Sequence, residues 1–320
     1  MMDRLRALLA ERLQALPGAI DPAEILARDI SGGLARPNLR SANRSCRLIR
    51  ASDGWIAFNL ARPEDHDVLS ALTGRADSGW DDLEATARTE PALALRDRAI
   101  ELQLPVAVPG ETSVTDFAPA TDLATPRRVV DLSALWAGPL CAGLLARMGS
   151  EVVRVASRGR PDPTPYSSPQ LDRRINGGKR TLALDLADPT DRARLLAEIR
   201  RSDVLVTSAR PAALERLGLD PDALLGECPE LIWVAITAHG FVGKGAVRVG
   251  FGDDCAVAGG LFHREHDEPR FLGDALADPL SGVEAALAVG RRLASGTRGL
   301  IDIAMARVAA SYAAGLKRCP

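Results

Sequence analysis

The sequence predicts a doubly wound, mainly parallel α/β sheet of Rossmann-like type, with a smaller α+β appendage at its N-terminus. Three observations carry this. From Val129 onward, short apolar runs alternate with stretches of helical periodicity, the pattern of successive βαβ units. Those runs are almost continuously hydrophobic, as strands covered on both faces must be. Residues 46–60 break the pattern with two alternating runs around Ala51-Ser52-Asp53-Gly54, a hairpin signal.

Taken in order, Leu5, Leu8, Leu9, Leu13 and Leu16 fall on one helical face, so residues 2–16 are predicted as an amphipathic helix closed by Pro17-Gly18. Asp21-Pro22-Ala23-Glu24 supplies an N-cap, a first-turn proline and an acid in the first turn of a short helix. After the hairpin, helical stretches are expected at 63–72 and 81–102. Pro105 to Pro126 is rich in Pro and Thr with little periodicity. This divides the chain into a small α+β segment (1–110), a linker (111–126) and a Rossmann-like domain (127–320). In that domain strands are expected at 129–133, 151–156, 181–186, 203–207, 231–237 and 300–304. Helices are expected at 139–148, 189–200, 211–217 and 279–294.

Composition narrows the function. Of 320 residues, 46% are hydrophobic and 26% charged, ordinary for a chain that buries a full core. The 40 Lys and Arg nearly balance the 42 Asp and Glu, which argues against a nucleic-acid partner. No apolar run reaches membrane length and the first residues lack a signal-peptide pattern, so no membrane association is expected. Five scattered cysteines without a C-x-x-C pair fit a reducing, cytoplasmic setting with neither disulfides nor a structural metal.

In a doubly wound sheet the first strand–turn–helix is the usual nucleotide site. Here the turn is Ser133-Ala134-Leu135-Trp136-Ala137-Gly138-Pro139. It lacks the G-x-G-x-x-G dinucleotide fingerprint but keeps small residues at a helix start, with Pro139 suited to the first helical position. The second strand ends in Ala156-Ser157-Arg158-Gly159-Arg160 instead of the acid that holds an NAD ribose. Seven basic residues lie between Arg154 and Arg180 against Asp162 and Asp172. This is either a solvated loop or a pocket for an adenosine bearing an extra phosphate, NADP or coenzyme A, with Arg216 and Arg248 adding charge. Gly240–Gly245 has the wrong spacing for a phosphate loop, His263–Glu268 reads as a solvated turn, and no serine-hydrolase elbow is present. Asp278, before Pro279, reads as an N-cap. A carboxylate there is also held ionised by the helix dipole, which suits a nucleophile.

Several segments in one order resemble a known family. Val130-Asp131-Leu132-Ser133 with Ala137-Gly138-Pro139, then Asn176 with Gly178-Lys179-Arg180-Thr181-Leu182, resemble its first strands. Arg210-Pro211 with Leu214-Glu215-Arg216-Leu217-Gly218, Pro229-Glu230-Leu231-Ile232, the Gly250–Asp254 turn and Gly273…Ala277-Asp278…Gly282 follow. Residues 129–305 thus resemble the family III (CaiB/BaiF) CoA-transferases, which include formyl-CoA transferase, carnitine CoA-transferase and α-methylacyl-CoA racemase. The resemblance implies a Rossmann-like CoA domain with a smaller one, in interlocked dimers.

It further implies transfer of CoA from an acyl-CoA to a carboxylic acid through an aspartyl intermediate on Asp278, with CoA as substrate and no tightly bound cofactor. The implied CoA contacts are Leu135, Trp136, Ala137, Arg158, Ile175, Lys179, Ser208, Ala209, Arg216, Leu217 and Arg248. Departures are specific: Ala156 replaces a usual Glu, Ser208-Ala209 an Asn-Phe pair, Trp136 the glutamine of formyl-CoA transferase, and Gly252 stands near the racemase histidine. The hairpin segment resembles the family's small domain but precedes the nucleotide-binding half. Rival readings are an acyl-CoA racemase using Asp278 with Asp253 or Asp254, a non-catalytic CoA-binding subunit completing a heteromer with a longer homologue, and an NADP-dependent reductase. A homodimer or such a heteromer is the expected assembly.

Overall fold

A computed structural model describes residues 1–29, 33–116 and 118–318; Cys319 lies outside these. Helix α1 (Met2–Leu13) turns Leu5, Leu9 and Leu13 inward, as their spacing requires. It ends earlier than expected, Leu16 being carried instead by a turn in which its N–H donates to Leu13 O at 3.0 Å. Helix α2 (Pro22–Leu26) starts as predicted, the Asp21 carboxylate accepting the Ala23 N–H at 2.8 Å.

Strands β1 (Cys46–Arg50) and β2 (Trp55–Asn59) form the hairpin, pairing Arg50 with Trp55 across the predicted turn. The stretch expected as one helix at 63–72 is two, α3 (Pro63–Asp67) and α4 (Leu69–Thr73). That expected at 81–102 is also two, α5 (Trp80–Thr89) and α6 (Ala92–Glu101), because Pro91 offers no N–H to continue a helix. Strand β3 (Val106–Ala107) pairs with β2. It corrects the reading of 105–126 as wholly irregular, two residues being too short to show periodicity.

The second half begins with β4 (Arg128–Leu132), α7 (Ala137–Arg147) and β5 (Glu151–Ser157). Then come α8 (Thr164–Ser167), α9 (Pro169–Asn176), β6 (Arg180–Leu184), α10 (Pro189–Ile199) and β7 (Val204–Thr207). They lead to α11 (Pro211–Glu215), α12 (Pro221–Glu227), β8 (Ile232–Thr237) and α13 (Gly252–Ala258). The chain closes with β9 (Phe262–Glu265), β10 (Glu268–Phe271), α14 (Ala277–Ala294), β11 (Gly299–Ala304) and α15 (Met305–Arg318). The stretch His263–Glu268, read as a solvated turn, is most of the β9–β10 hairpin, with His266 and Asp267 at positive φ in its turn.

Six strands form one parallel sheet in the order β11-β8-β7-β4-β5-β6. The chain winds from β4 out to β6, then crosses back to β7 and continues the other way. The C-terminal ends of β4 and β7 therefore flank the switch point, where such sheets open a ligand crevice.

Burial divides the first 110 residues unevenly. Leu5, Leu9, Leu13, Ile25 and Leu26 join a core with α7, α14 and α15, so α1 and α2 belong with the large sheet. Ile49, Ile56, Phe58, Leu83 and Leu95 form a separate core around the hairpin. Among the described residues, Cys46, Cys141, Cys228 and Cys255 are all free thiols, and no helix is long and apolar enough to cross a membrane.

Candidate active site

The turn after β4 lies at the switch point and is rigidly built. Asp131, fully buried, receives the Lys179 ammonium at 2.7 Å and the Ser133 hydroxyl. Lys179 also donates to Pro139 O at 2.7 Å and Asn176 Oδ1 at 2.8 Å, so all three of its donors are used. The charge is thus paired and hydrogen-bonded, the condition for burying it. Gly138 packs on Ser133, where any Cβ would collide with the hydroxyl. Leu135 has φ +69° and is 40% exposed. A leucine held in the left-handed region marks strain of the kind found at ligand-facing turns. Ala134 N–H donates to Ser208 Oγ at 3.1 Å, tying the β4 and β7 loops together across the crevice.

Helix α14 crosses α7 closely at Gly282, where a Cβ would strike Ala137 O and Leu140. This brings the start of α14 beside the Trp136 turn. The helix begins at Ala277, with Leu276 as its N-cap. Asp278 and Pro279 are therefore the second and third helical residues, correcting the N-cap reading of Asp278. Likewise α7 begins at Ala137, so Pro139 is its third residue and not its first. In both cases the chain enters the helix two residues earlier than the proline suggests, which the free N–H groups of a first turn permit.

Around Asp278 gather three more acids. Asp253 accepts from Asn43 Nδ2 and from Ala275 N, both at 2.8 Å. Asp254 accepts from Asn59 Nδ2 and Phe251 N, both at 2.9 Å. Asp274 accepts from Arg28 Nε at 2.7 Å and Asn43 Nδ2 at 3.1 Å. The Arg28 guanidinium also lies over the Trp136 ring, 5.1 Å from its centroid, a cation–π contact that joins the acid cluster to the β4 turn. Ala275, at φ +45°, shapes the bend into α14. Gly252 has no room for a side chain, because a Cβ there would meet the Asp278 carboxylate and Ala275 O.

Asp278 differs from its neighbours. Its side chain is half-buried, and no described residue donates a hydrogen bond to it. Burial pushes its carboxyl up to about 7, opposed by Arg28 and reinforced by Asp253, Asp274 and Asp254. Burial likewise raises Asp254 to about 7, against its hydrogen bonds from Asn59 and Phe251, and Asp253 to about 6, with Asp274 adding to it. One guanidinium, Arg28, acts on Asp274, Asp278 and Asp253, so the cluster holds protons near neutrality.

The structure scatters the other residues implied by the resemblance along one edge of the sheet. Leu135, Trp136, Ala137, Ser208 and Ala209 flank the crevice. Arg158, exposed after β5, lies 3.9 Å from Asp191. Arg216 is exposed and Leu217 half-buried after α11. Trp136 and Ile175 line a half-open apolar groove with Leu140, Leu144 and Leu171, which Asp278 does not enter. Arg248 faces away from this edge, donating to Val106 O at 2.9 Å and Glu111 at 2.7 Å. Four contributors escaped the sequence: Arg28, Asn43 and Asn59 from the first sixty residues, and Arg210. Burial and the nearby Arg62, Arg216 and Arg160 lower the Arg210 guanidinium, which donates to Gln103, while Arg62 is paired with Asp65. The Arg-rich stretch from Arg154 was the available signal for Arg210; nothing local signalled the other three.

Comparison with known proteins decides what this architecture is. The model of CoA-transferase family III matches residues 126–316. The chain belongs to CoA-transferase family III. A succinyl-CoA–D-citramalate CoA-transferase of Chloroflexus aurantiacus is 30% identical over 194 residues, covering 55% of this chain and 47% of the relative. Human α-methylacyl-CoA racemase is 41% identical over 116 residues, covering 36% and 28%. The crystal structure of Rv3272 from Mycobacterium tuberculosis superposes with a TM-score of 0.54 at 29% identity, covering 60% of this chain and 57% of that one. The chain spans about half or less of the length of these curated relatives.

Proposed function

We propose that this family member moves CoA between an acyl-CoA and a carboxylic acid, with Asp278 as nucleophile. The observation that carries the reading is the Asp278 carboxylate itself. It alone of the four clustered acids receives no hydrogen bond from a described residue, and it sits at the start of an eighteen-residue helix beside the switch-point turn. The dipole and Arg28 favour its ionised form, while its raised pKa gives the anion basicity.

An Asp278 oxygen attacks the thioester carbonyl and expels CoA thiolate, leaving a mixed anhydride. The thiolate attacks the aspartyl carbonyl and releases the donor acid. The acceptor carboxylate then attacks the aspartyl-CoA thioester, expelling thiolate and forming a new anhydride. Attack of thiolate on the acceptor carbonyl yields the new acyl-CoA and restores Asp278. The arginines around Arg210 and the exposed Arg158 and Arg216 suit the phosphates of CoA, and the strained Leu135 turn suits its pantetheine arm. A second chain, either another copy or a longer homologue, completes the site.

The test is CoA exchange into labelled carboxylic acids by the chain alone and with a full-length homologue. Turnover lost in Asp278→Asn supports the reading; turnover retained in that variant refutes it. A second reading, acyl-CoA racemisation, has one favouring feature: Asp253 and Asp254 hold protons near neutrality beside Asp278, an acid–base set without histidine. Deuterium uptake at the α-carbon of a 2-methylacyl-CoA distinguishes it.

A further inference from the structure

Sharing Asp254 with the acid cluster, one histidine, one carboxylate and one thiol converge. Ligand atoms of His239, Asp254 and Cys255 lie within 4.8 Å of one another, the one such grouping among the described residues. They come from two elements, the loop after β8 and the first turn of α13. We propose that these three side chains bind a single divalent cation of borderline softness, such as zinc, and that the ion fastens the loop after β8 to the start of α13.

Two of the donors are set for the role, and Cys255 exchanges its thiol contact with Ala238 O, at 3.6 Å, for the ion. His239 Nε2 is buried and has no hydrogen-bond partner, a cost that a buried polar atom ordinarily does not bear. Burial, with Arg248 and Arg96, lowers His239 to about 3, so the ring is the neutral form that ligates metals. Asp254 commits Oδ1 to Asn59 and Phe251, leaving Oδ2 turned toward Cys255 Sγ at 4.0 Å. Asn59, at the end of β2, thereby serves as an outer partner that orients the carboxylate. Gly250 has no side chain where one would meet Asp254 Oδ2 and Cys255 Sγ, which keeps the space between the donors clear.

The charge arithmetic is favourable. Binding releases the thiol proton and any proton on Asp254, so a divalent ion, a thiolate and a carboxylate sum to zero in a buried site. Arg96 and Arg248, which approach His239, are both paired with Glu111 at 2.7 Å. With bonds of about 2.0 Å to N or O and about 2.3 Å to S, tetrahedral donors stand roughly 3.3–3.7 Å apart. Rotations of the three side chains of about an ångström bring the present spacing to that value.

The full chain, grown with cobalt in place of zinc and purified without chelator, tests this. About one cobalt per chain with a thiolate-to-cobalt charge-transfer band is expected, the band vanishing in Cys255→Ser and metal affinity falling at least tenfold in His239→Gln. X-ray absorption of the zinc-loaded wild-type chain, which needs no variant to fold, should show one sulfur at about 2.3 Å among N and O neighbours. A wild-type chain that retains no metal, a sulfur-free or multi-sulfur shell, or a band that survives Cys255→Ser overturns the proposal.

Discussion

Two buried charge systems lie within a few turns of each other, and they behave oppositely. Around Asp131, one carboxylate meets one ammonium and every donor of Lys179 has an acceptor. Around Asp278, three of the four carboxylates share Arg28, and the central one takes no hydrogen bond from a described residue. The first system is balanced and fixes the β4 turn; the second is short of positive charge and stays near its point of titration, the property on which the proposed nucleophilic role of Asp278 rests. Similar composition gives a fixed ion pair in one place and carboxyls that titrate near neutrality in the other because of how the compensation is distributed.

The comparison can be broken most forcefully at its two centres. Asp278→Asn should lower CoA transfer by about 1,000-fold or more, as loss of a covalent nucleophile does, while thermal stability holds or rises because a buried negative charge is removed. Lys179→Met should do the reverse. It leaves Asp131 buried without its cation, costing about 3–5 kcal/mol in denaturant unfolding, and any activity loss should follow the loss of folded protein.

Smaller effects sharpen it. Burial holds Asp253, Asp254 and Asp278 above the range of an unfolded chain, so the folded state binds protons more tightly than the unfolded one. Their stabilising contribution is complete at pH values below the unfolded carboxylate range and is lost as pH rises through about 6 to 7. Melting temperature of the metal-free chain should therefore fall from about pH 5 to about pH 8, and Asp254→Asn should flatten that slope, since its Oδ1 still accepts from Asn59 and Phe251. Transfer activity should rise over the same interval as Asp278 ionises. Arg28→Met should move that rise to higher pH, because Arg28 is the charge that opposes the upward shift. It should also lower stability, through the lost contact with Trp136 and by leaving the buried Asp274 without its cation.

Much of the fold could be read from the chain because its strands are apolar runs whose meaning is local. Val129–Leu132, Glu151–Ala156 and Ile232–Thr237 needed only their own residues. The helices α8 and α9 stayed hidden inside a stretch with four prolines and many arginines, where polarity argues for a loop although Pro163, Pro165 and Pro169 sit at helix starts. The same local logic misplaced the starts of α7 and α14. At the site, Asp278 was visible through the pattern around it. Arg28, Asn43 and Asn59 were not, since only the folding of α2 and the hairpin onto α13 and α14 brings them there. Lys179 read as a ligand contact, and its side chain instead serves Asp131; a basic residue beside glycines looks alike in both roles.

Intact-mass spectrometry of the chain, alone and with a full-length homologue, after brief exposure to a panel of acyl-CoA thioesters tests the central claim most directly. A covalent acyl or CoA adduct that maps to Asp278, discharges on adding a carboxylic acid and is missing from Asp278→Asn is the result expected. A chain that stays at its unmodified mass while CoA exchange proceeds, or an adduct mapped to another residue, would contradict it.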